Sequence, residues 1–342
     1  MRKKIFIKEN TNFIDILSRD FDITNNFPLM YSNKECDFDA LLLVEESDLE
    51  LQMYCRSHLI PVIGIPKRFE KHYQMNILKK FNFIHPNSYF STNNNEFAFT
   101  NLLSKKSNTD KLVVKMVNGA RGLGQALMTK KDFFEVLFQR HLDIEIELND
   151  RKEIIAQKLF SCKETELLCS DDEVEDKDDA MEQKKEMRVI SKEDYIKKER
   201  KWNDPLVENE KYLNEAIKRG NFLVQDYIEK VKEWRLLYFF GGNTILIKRD
   251  FDLGWQANSC ITGFGEEEPI DVLPKLLLEN IDKLLNQFNY PWLSIDVYQD
   301  KDGKFGIFEF QMEFAFQFVE DKNKLCDYLN NSVAKKLKSY YV

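Results

Sequence analysis

The 342-residue sequence is poor in the residues that punctuate or staple a chain: twelve glycines, eight prolines, six cysteines and four histidines. Cys36, Cys55, Cys162, Cys169, Cys260 and Cys326 form no C-x-x-C pair, and His58, His72, His85 and His141 are scattered. That pattern disfavours a zinc site and a disulfide framework. Free thiols in a reducing cytoplasm are the simple reading. No apolar run approaches the roughly 18 residues of a membrane span. The basic start Met1-Arg2-Lys3-Lys4 leads only into a short strand-like run, so it is not read as a signal peptide. There is no excess of positive charge either. Fifty Lys and Arg against 58 Asp and Glu leave a net charge of −8. This argues against nucleic acid as a partner, while leaving room for a local basic cleft. What is present is ordinary for a globular chain, 43 % apolar and 32 % charged residues. The length predicts two or three folding units of about 150 residues each.

Strand and helix patterns alternate at the start. Lys4 to Lys8 reads as a strand, Asn12 to Leu17 as a helix start, and Ala40 to Val44 as a buried strand. Asp48 to Leu59 is helical, and Ile60 to Ile65 is a further strand, closed by Pro66. This predicts a small parallel α/β unit. A helix is expected from about Phe69 to Phe81, and strands over Lys111 to Val117, Gln125 to Met128 and Glu153 to Phe160, with a helix at Asp132 to Phe138. Residues 161–220 change character. Ser170 to Asp179 is acidic and almost free of apolar residues, so it reads as a solvated loop, and Ser191 to Arg219 as a polar helix. Order returns with strands at Phe222 to Ile228, Glu233 to Phe240 and Thr244 to Lys248. An amphipathic helix spans Asp271 to Phe288, a hairpin joins Leu293–Tyr298 to Phe305–Phe310, and a last helix runs from Asn323 to Tyr340.

Three of the scarce glycines cluster just after the strand that carries Lys115, in Asn118-Gly119-Ala120-Arg121-Gly122-Leu123-Gly124. Glycines admit positive φ and close backbone approach, and consecutive N–H groups in such a turn form an anion nest. Lys115 and Arg121 add charge suited to phosphates. The lysine precedes the glycines, so the P-loop spacing is not met, and no long helix follows for a dinucleotide fingerprint. A plain glycine-rich β-turn fits the same residues.

The C-terminal hairpin turns at Asp300-Lys301-Asp302-Gly303. A hairpin centred near Asp302 would place Asp296 roughly opposite Glu309, with Gln311 on the same face as Glu309. Facing carboxylates repel unless a cation or proton lies between them. Mg²⁺ takes such oxygen ligands, and an Arg or Lys partner would satisfy them equally well.

The collinear order of these pieces resembles the ATP-grasp superfamily. A small α/β domain is followed by the lysine strand with its glycine loop (VVKMVNGARGLGQALM) and a hinge strand (FLVQDYI). Then come an acid-x-Arg strand (EWRLLYFFGG), a Lys-Arg strand end (LIKRD), a strand Asp (SIDVY) and a final Glu-Phe-Gln. The flavour is that of carboxylate–amine ligases such as ribosomal-protein glutamate ligase and glutathione synthetase. The resemblance implies an α+β ATP-grasp fold of two lobes clasping ATP. Its divisions fall at 1–68 (pre-ATP-grasp domain), 69–160 (N-terminal lobe), 161–220 (insertion) and 221–342 (C-terminal lobe).

It further implies that Lys115 contacts ATP phosphates beneath a loop bearing Gly119, Arg121, Gly122 and Gly124. Gln225, Asp226, Tyr227 and Ile228 form the adenine hinge, largely through backbone groups, and Glu233 meets the ribose. Asp296, Glu309 and Gln311 bind Mg²⁺ or Mn²⁺. Arg249, Asn258 and the neighbouring Lys248 face the reacting carboxylate. The implied activity is ATP-dependent amide formation through an acyl phosphate, from small-molecule or peptide carboxylates and amines. An ATP-grasp kinase acting on a hydroxyl and a degenerate nucleotide-binding scaffold are the alternatives. Dimers are common in proteins of this kind, so a homodimer is compatible.

Three features depart from the family pattern. Glu-Phe-Gln stands where Glu-x-Asn is usual. No clean motif marks an earlier ATP lysine, for which Lys71 is the candidate. Ala156-Gln157-Lys158-Leu159 rivals the hinge strand.

Overall fold

A computed structural model describes residues 2–7, 11–24, 38–44, 49–64, 71–91, 105–117, 125–139, 213, 216–217, 219–249, 265–312, 314 and 319–340. Three sheets carry the chain. The first holds β1 (Lys4–Ile7), β2 (Asp22–Thr24), β3 (Ala40–Leu43) and β4 (Val62–Gly64), with α1 (Thr11–Leu17) and α2 (Leu49–Ser57) between them. All its pairings are parallel, in the order β2-β1-β3-β4. Its central strands are continuous apolar runs because parallel strands are covered on both faces. Ile5, Ile7 and Leu42 enter the main core. Phe6, Leu41 and Leu43 pack with Leu51 and Cys55. Cys55 and Cys326, the described cysteines, are free thiols.

Gly64 closes this sheet at φ +98°, where an added Cβ would lie 2.0 Å from the Leu43 carbonyl oxygen. Gly64→Ala should therefore cost about 2–3 kcal/mol, from backbone strain and the clash together. A urea midpoint equal to wild type would refute this.

The second sheet is antiparallel. After α3 (Lys71–Lys80) come β5 (Ser88–Phe90), β6 (Lys111–Met116), β7 (Gln125–Thr129), α4 (130–139) and β8 (Phe222–Asp226), in the order β5-β8-β6-β7. It has its own core of Leu112, Val114, Phe133, Leu137, Phe222 and Val224. Leu213 and Ile217 are buried there too, so the end of the segment read as a polar insertion supplies core instead. Likewise the division at residue 221 assigned 222–226 to the last lobe, whereas this strand hydrogen-bonds between β5 and β6.

The third sheet comprises β9 (Lys230–Phe239), β10 (Thr244–Arg249), β11 (Glu267–Glu268), β12 (Trp292–Asp300) and β13 (Phe305–Gln311). It is antiparallel throughout, ordered β11-β10-β9-β12-β13. Helix α5 (Lys275–Gln287) buries Leu277, Ile281, Leu284 and Leu285, a single apolar stripe at helical spacing. Helix α6 (Lys322–Ser339) starts at an Asp321 cap, whose carboxylate accepts the Lys324 N–H at 2.9 Å.

The first and third sheets share one continuous core. Phe13 of α1 stacks on Trp292 at 5.1 Å and meets Phe314 edge-on at 5.8 Å. The second sheet, with a separate core, is thus a lobe set beside a larger body. Among the described residues, no helix is long and apolar enough to cross a membrane.

Candidate active site

The site is built on one face of the third sheet. In the ladder Asp296 lies directly opposite Glu309 on one side and Arg235 on the other. Arg249 lies opposite Glu233. Side chains alternate along a strand, so Glu233 and Arg235 share this face, as do Ser294 and Asp296. A β-bulge follows the acid pair. Asp296 pairs with Glu309 and Val297 with Ile307, so Phe308 is the extra residue. Bulges bend a strand and re-aim its side chains, and this one adjoins Glu309.

The acids are tied into an ionic cluster. Arg235 grips Asp296 in a two-pronged bond, Nε to Oδ1 at 2.9 Å and Nη2 to Oδ2 at 3.1 Å. Arg249 Nη1 donates to Asp296 Oδ2 at 3.1 Å and to Glu233 Oε1 at 2.9 Å. Lys230 takes the other Glu233 oxygen. Burial pushes the Asp296 carboxyl up, but the two guanidinium groups outweigh it and hold the group at about 2. Burial also works against the Arg249 charge, and Asp296 and Glu233 together raise its pKa above the ordinary value. Glu309 differs: among the described residues, no hydrogen bond or ion pair engages its carboxylate.

Two lysines approach Glu309 from outside the third sheet. Lys115 comes from β6, its ammonium 6.0 Å from the Phe308 ring centre. Burial lowers its pKa to about 8, against the pull of Glu309. Lys71, at the start of α3, donates to the Met116 carbonyl at 3.3 Å, and burial lowers its pKa while Glu309 opposes the shift. Around Glu233, Asp296 and Glu309 the described cations are Lys71, Lys115, Lys230, Arg235 and Arg249. A chain of net charge −8 thus holds a cleft with a surplus of positive charge.

Gln225 and Asp226 end β8 at the edge of this cleft. The Gln225 amide donates to Ser88 Oγ at 2.8 Å. Asp226 accepts from Asn87 at 2.8 Å and pairs with Lys106 at 2.7 Å. Both side chains are held by neighbours, so backbone is what the hinge offers. Tyr227 and Ile228 follow, then Glu229, whose exposed carboxylate meets Lys301 at 2.9 Å.

Glu233, Arg249, Asp296 and Glu309 therefore converge, with Lys115 above them and Gln311 beside them. Lys248 does not join. It pairs with Trp234 and falls on the opposite face from Arg249, because successive residues of a strand alternate. Glu233 sits inside the ionic cluster, 4 % exposed. Gly119, Arg121, Gly122, Gly124 and Asn258 lie outside the described residues, as do the 153–160 strand, Cys260 and the rival hinge at 156–159. The sequence reading gave no role to Lys230, Glu229 or Ser294. For Arg235 the signal was the acid-x-Arg spacing, which puts both residues on one face. Lys71 was named, and its place beside Glu309 depends on a contact across 45 residues that no motif marks.

No protein-family model matches the chain, and no curated protein does. Solved structures match along its whole length. The RiPP-associated ATP-grasp ligase of Chryseobacterium gregarium, solved with ADP and a leader and core peptide, is 14 % identical with a TM-score of 0.53, covering 98 % of this chain and 97 % of its own. The D-alanine–D-alanine ligase of Bacillus anthracis is also 14 % identical with a TM-score of 0.53, over 100 % and 98 %. The ATP-grasp ligase PsnB, solved with a phosphomimetic variant of its minimal precursor, Mg and ADP, is 10 % identical with a TM-score of 0.51, over 97 % and 99 %. At such identities the likeness is one of architecture: the chain has the ATP-grasp fold.

Proposed function

We propose that the protein is an ATP-dependent carboxylate–amine ligase that activates its carboxylate as an acyl phosphate. The observation that carries this reading is the facing pair Asp296–Glu309, set among five cations of which Lys115 is one. A triphosphate needs charge neutralisation and in-line positioning, and little covalent help. Lys115 and Lys71 would bind its oxygens from one side. The hinge backbone at 225–228 would take the adenine, since the Gln225 and Asp226 side chains are already engaged. Glu229 is exposed and its pair with Lys301 uses one carboxylate oxygen, which leaves the other for a ribose, whereas Glu233 is buried in the ionic cluster.

Asp296, Glu309 and Gln311 form an all-oxygen donor set that suits Mg²⁺ or Mn²⁺. Three guanidinium bonds leave about one acceptor site on Asp296 for a metal, a second comes free if Arg249 turns away, and the Glu309 carboxylate is unengaged among the described residues. Among those residues, no three His, Cys, Asp or Glu side chains group as a metal site. Two carboxylates completed by phosphate oxygens are what Mg²⁺ with a nucleotide requires. When bound, the metal would neutralise charge on the phosphates. Arg249 would turn from Asp296 toward the reacting carboxylate, with Asn258 on the segment that follows it. The separately packed second sheet would close over the site and exclude water. The neighbours' ligands, ADP and peptides in one case, make a peptide substrate the favoured class.

The test is ADP and phosphate release from Mg²⁺-ATP with pooled amino acids, carboxylates and peptides, products being read by mass. Release of both with a condensation product supports the ligase. A phosphorylated product without free phosphate would replace it with a kinase.

A pH dependence follows. Lys115 is charged below about pH 8 and neutral above it. Nucleotide binding favours the charged form, so affinity should fall above that pH, by no more than about tenfold per pH unit. Binding there should take up a proton, visible by calorimetry in buffers of different ionisation enthalpy. Lys115→Arg, charged throughout, should flatten the profile. A wild-type affinity constant from pH 7 to about 10 would remove Lys115 from the phosphate site.

A further inference from the structure

Ser294 is 2 % exposed, and among the described residues its hydroxyl has no hydrogen-bond partner. It stands one ladder step from the acid pair, on the same face as Asp296. Leu237 faces it from β9 and offers nothing polar. Gln311 faces it from β13, and no hydrogen bond engages the Gln311 amide among the described residues. No bulge interrupts the ladder here, since the register runs unbroken from Ser294–Gln311 to Asp296–Glu309. Directly opposed Cβ atoms lie about 5 Å apart, within reach of a hydroxyl and a long amide. A buried hydroxyl left unpaired carries a desolvation cost, so Ser294 is a polar group that no described residue uses.

We propose that Ser294 is a positioning residue for Gln311. Its hydroxyl takes up the Gln311 amide when that side chain turns inward, and so aims the amide oxygen at the Asp296–Glu309 pair. Gln is one methylene longer than the Asn usual at this place and has one more torsion to fix. A hydroxyl on the facing strand supplies the missing constraint. The donor and acceptor roles are both open to Ser, which can accept from the amide nitrogen and leave the oxygen for a cation. This inference rests on the metal reading proposed above.

The test combines the ligand-free melting temperature with the Mg²⁺ concentration that half-saturates ADP binding. Variants are Ser294→Ala, Ser294→Thr, Gln311→Leu, the Ala/Leu double variant and Glu309→Ala. Ser294→Ala should raise the melting temperature by a degree or more, on the order expected when an orphaned hydroxyl is removed. It should also raise the Mg²⁺ requirement about fivefold. Ser294→Thr, which keeps the hydroxyl, should restore the requirement. The double variant should be no worse than Gln311→Leu alone, because the two side chains act as one unit. Multiplying effects in the double variant would overturn the proposal. So would a lower melting temperature with an unchanged Mg²⁺ requirement, the mark of a merely structural serine. If Glu309→Ala leaves the Mg²⁺ requirement unchanged, the metal reading itself fails and takes the proposal with it.

Discussion

Glu309→Ala is expected to lower Mg²⁺-dependent turnover by about a thousandfold or more while the protein stays folded. Both effects come from the same geometry. Glu309 faces Asp296 across the ladder, and among the described residues nothing bonds its carboxylate. Removing it breaks no hydrogen bond among the described residues, but it takes away the charge that favours the buried ammonium groups of Lys115 and Lys71, so the melting temperature should fall slightly while the fold persists. Its charge matters to the lysines around it. Burial is the largest influence on Lys115, and Glu309 is the largest charge opposing that influence. Without Glu309 the Lys115 ammonium gives up its proton at lower pH. Nucleotide affinity in the variant should therefore begin its alkaline fall earlier than in wild type. Turnover and the pH profile are independent readouts. Unchanged turnover would remove Glu309 from the site. Lost turnover with an unmoved profile would leave Glu309 a ligand but detach it from Lys115.

The acid pair was legible only to within one residue. The turn at Gly303, with φ +78°, fixes Gln299 against Phe305 and Val297 against Ile307, and that register alone would carry Asp296 to Phe308; the bulge moves it on to Glu309. The large elements were legible from continuous apolar runs in the buried strands and a helical stripe in α5. Short edge strands were not. Asp22–Thr24, Ser88–Phe90 and Glu267–Glu268 carry too few residues to show a period, and neighbouring strands hold them in place. Lys248 and Arg249 were read together as neighbours in sequence, although strand alternation separates them. The bulge at Phe308 is a property of the pairing of two strands, which neither strand shows alone. The Arg235–Asp296 grip spans 61 residues. The sequence offers both the metal and the arginine reading of the acids, and the structure shows that one carboxylate is held by arginines while its partner is not.

That asymmetry gives Arg249→Met a different expected signature from Glu309→Ala: loss of turnover together with loss of stability. Arg249 bridges Glu233 and Asp296 from a buried position. Taking one partner out of a buried ion pair costs about 3–5 kcal/mol, because the remaining charges stay desolvated. Arg235 and Lys230 still serve one acid each, which favours the lower end of that range. The sign with pH follows from Asp296. Its folded pKa of about 2 lies below the ordinary carboxylate value. The linked stability is therefore full above the unfolded pKa of about 4 and is lost as pH falls through the folded value. In the variant Asp296 keeps only Arg235 among its guanidinium partners, so its pKa rises and this contribution shrinks. The gap between wild type and variant in urea midpoint should be widest near neutral pH and should narrow as the pH drops from about 4 toward 2. Arg249→Lys keeps the charge but not the fork that spans two acids, so it should recover part of the stability and little of the turnover. A gap that stays constant with pH would mean that Arg249 stabilises by packing alone. The cluster would then be a scaffold for the sheet, with no charge held ready to move to a substrate.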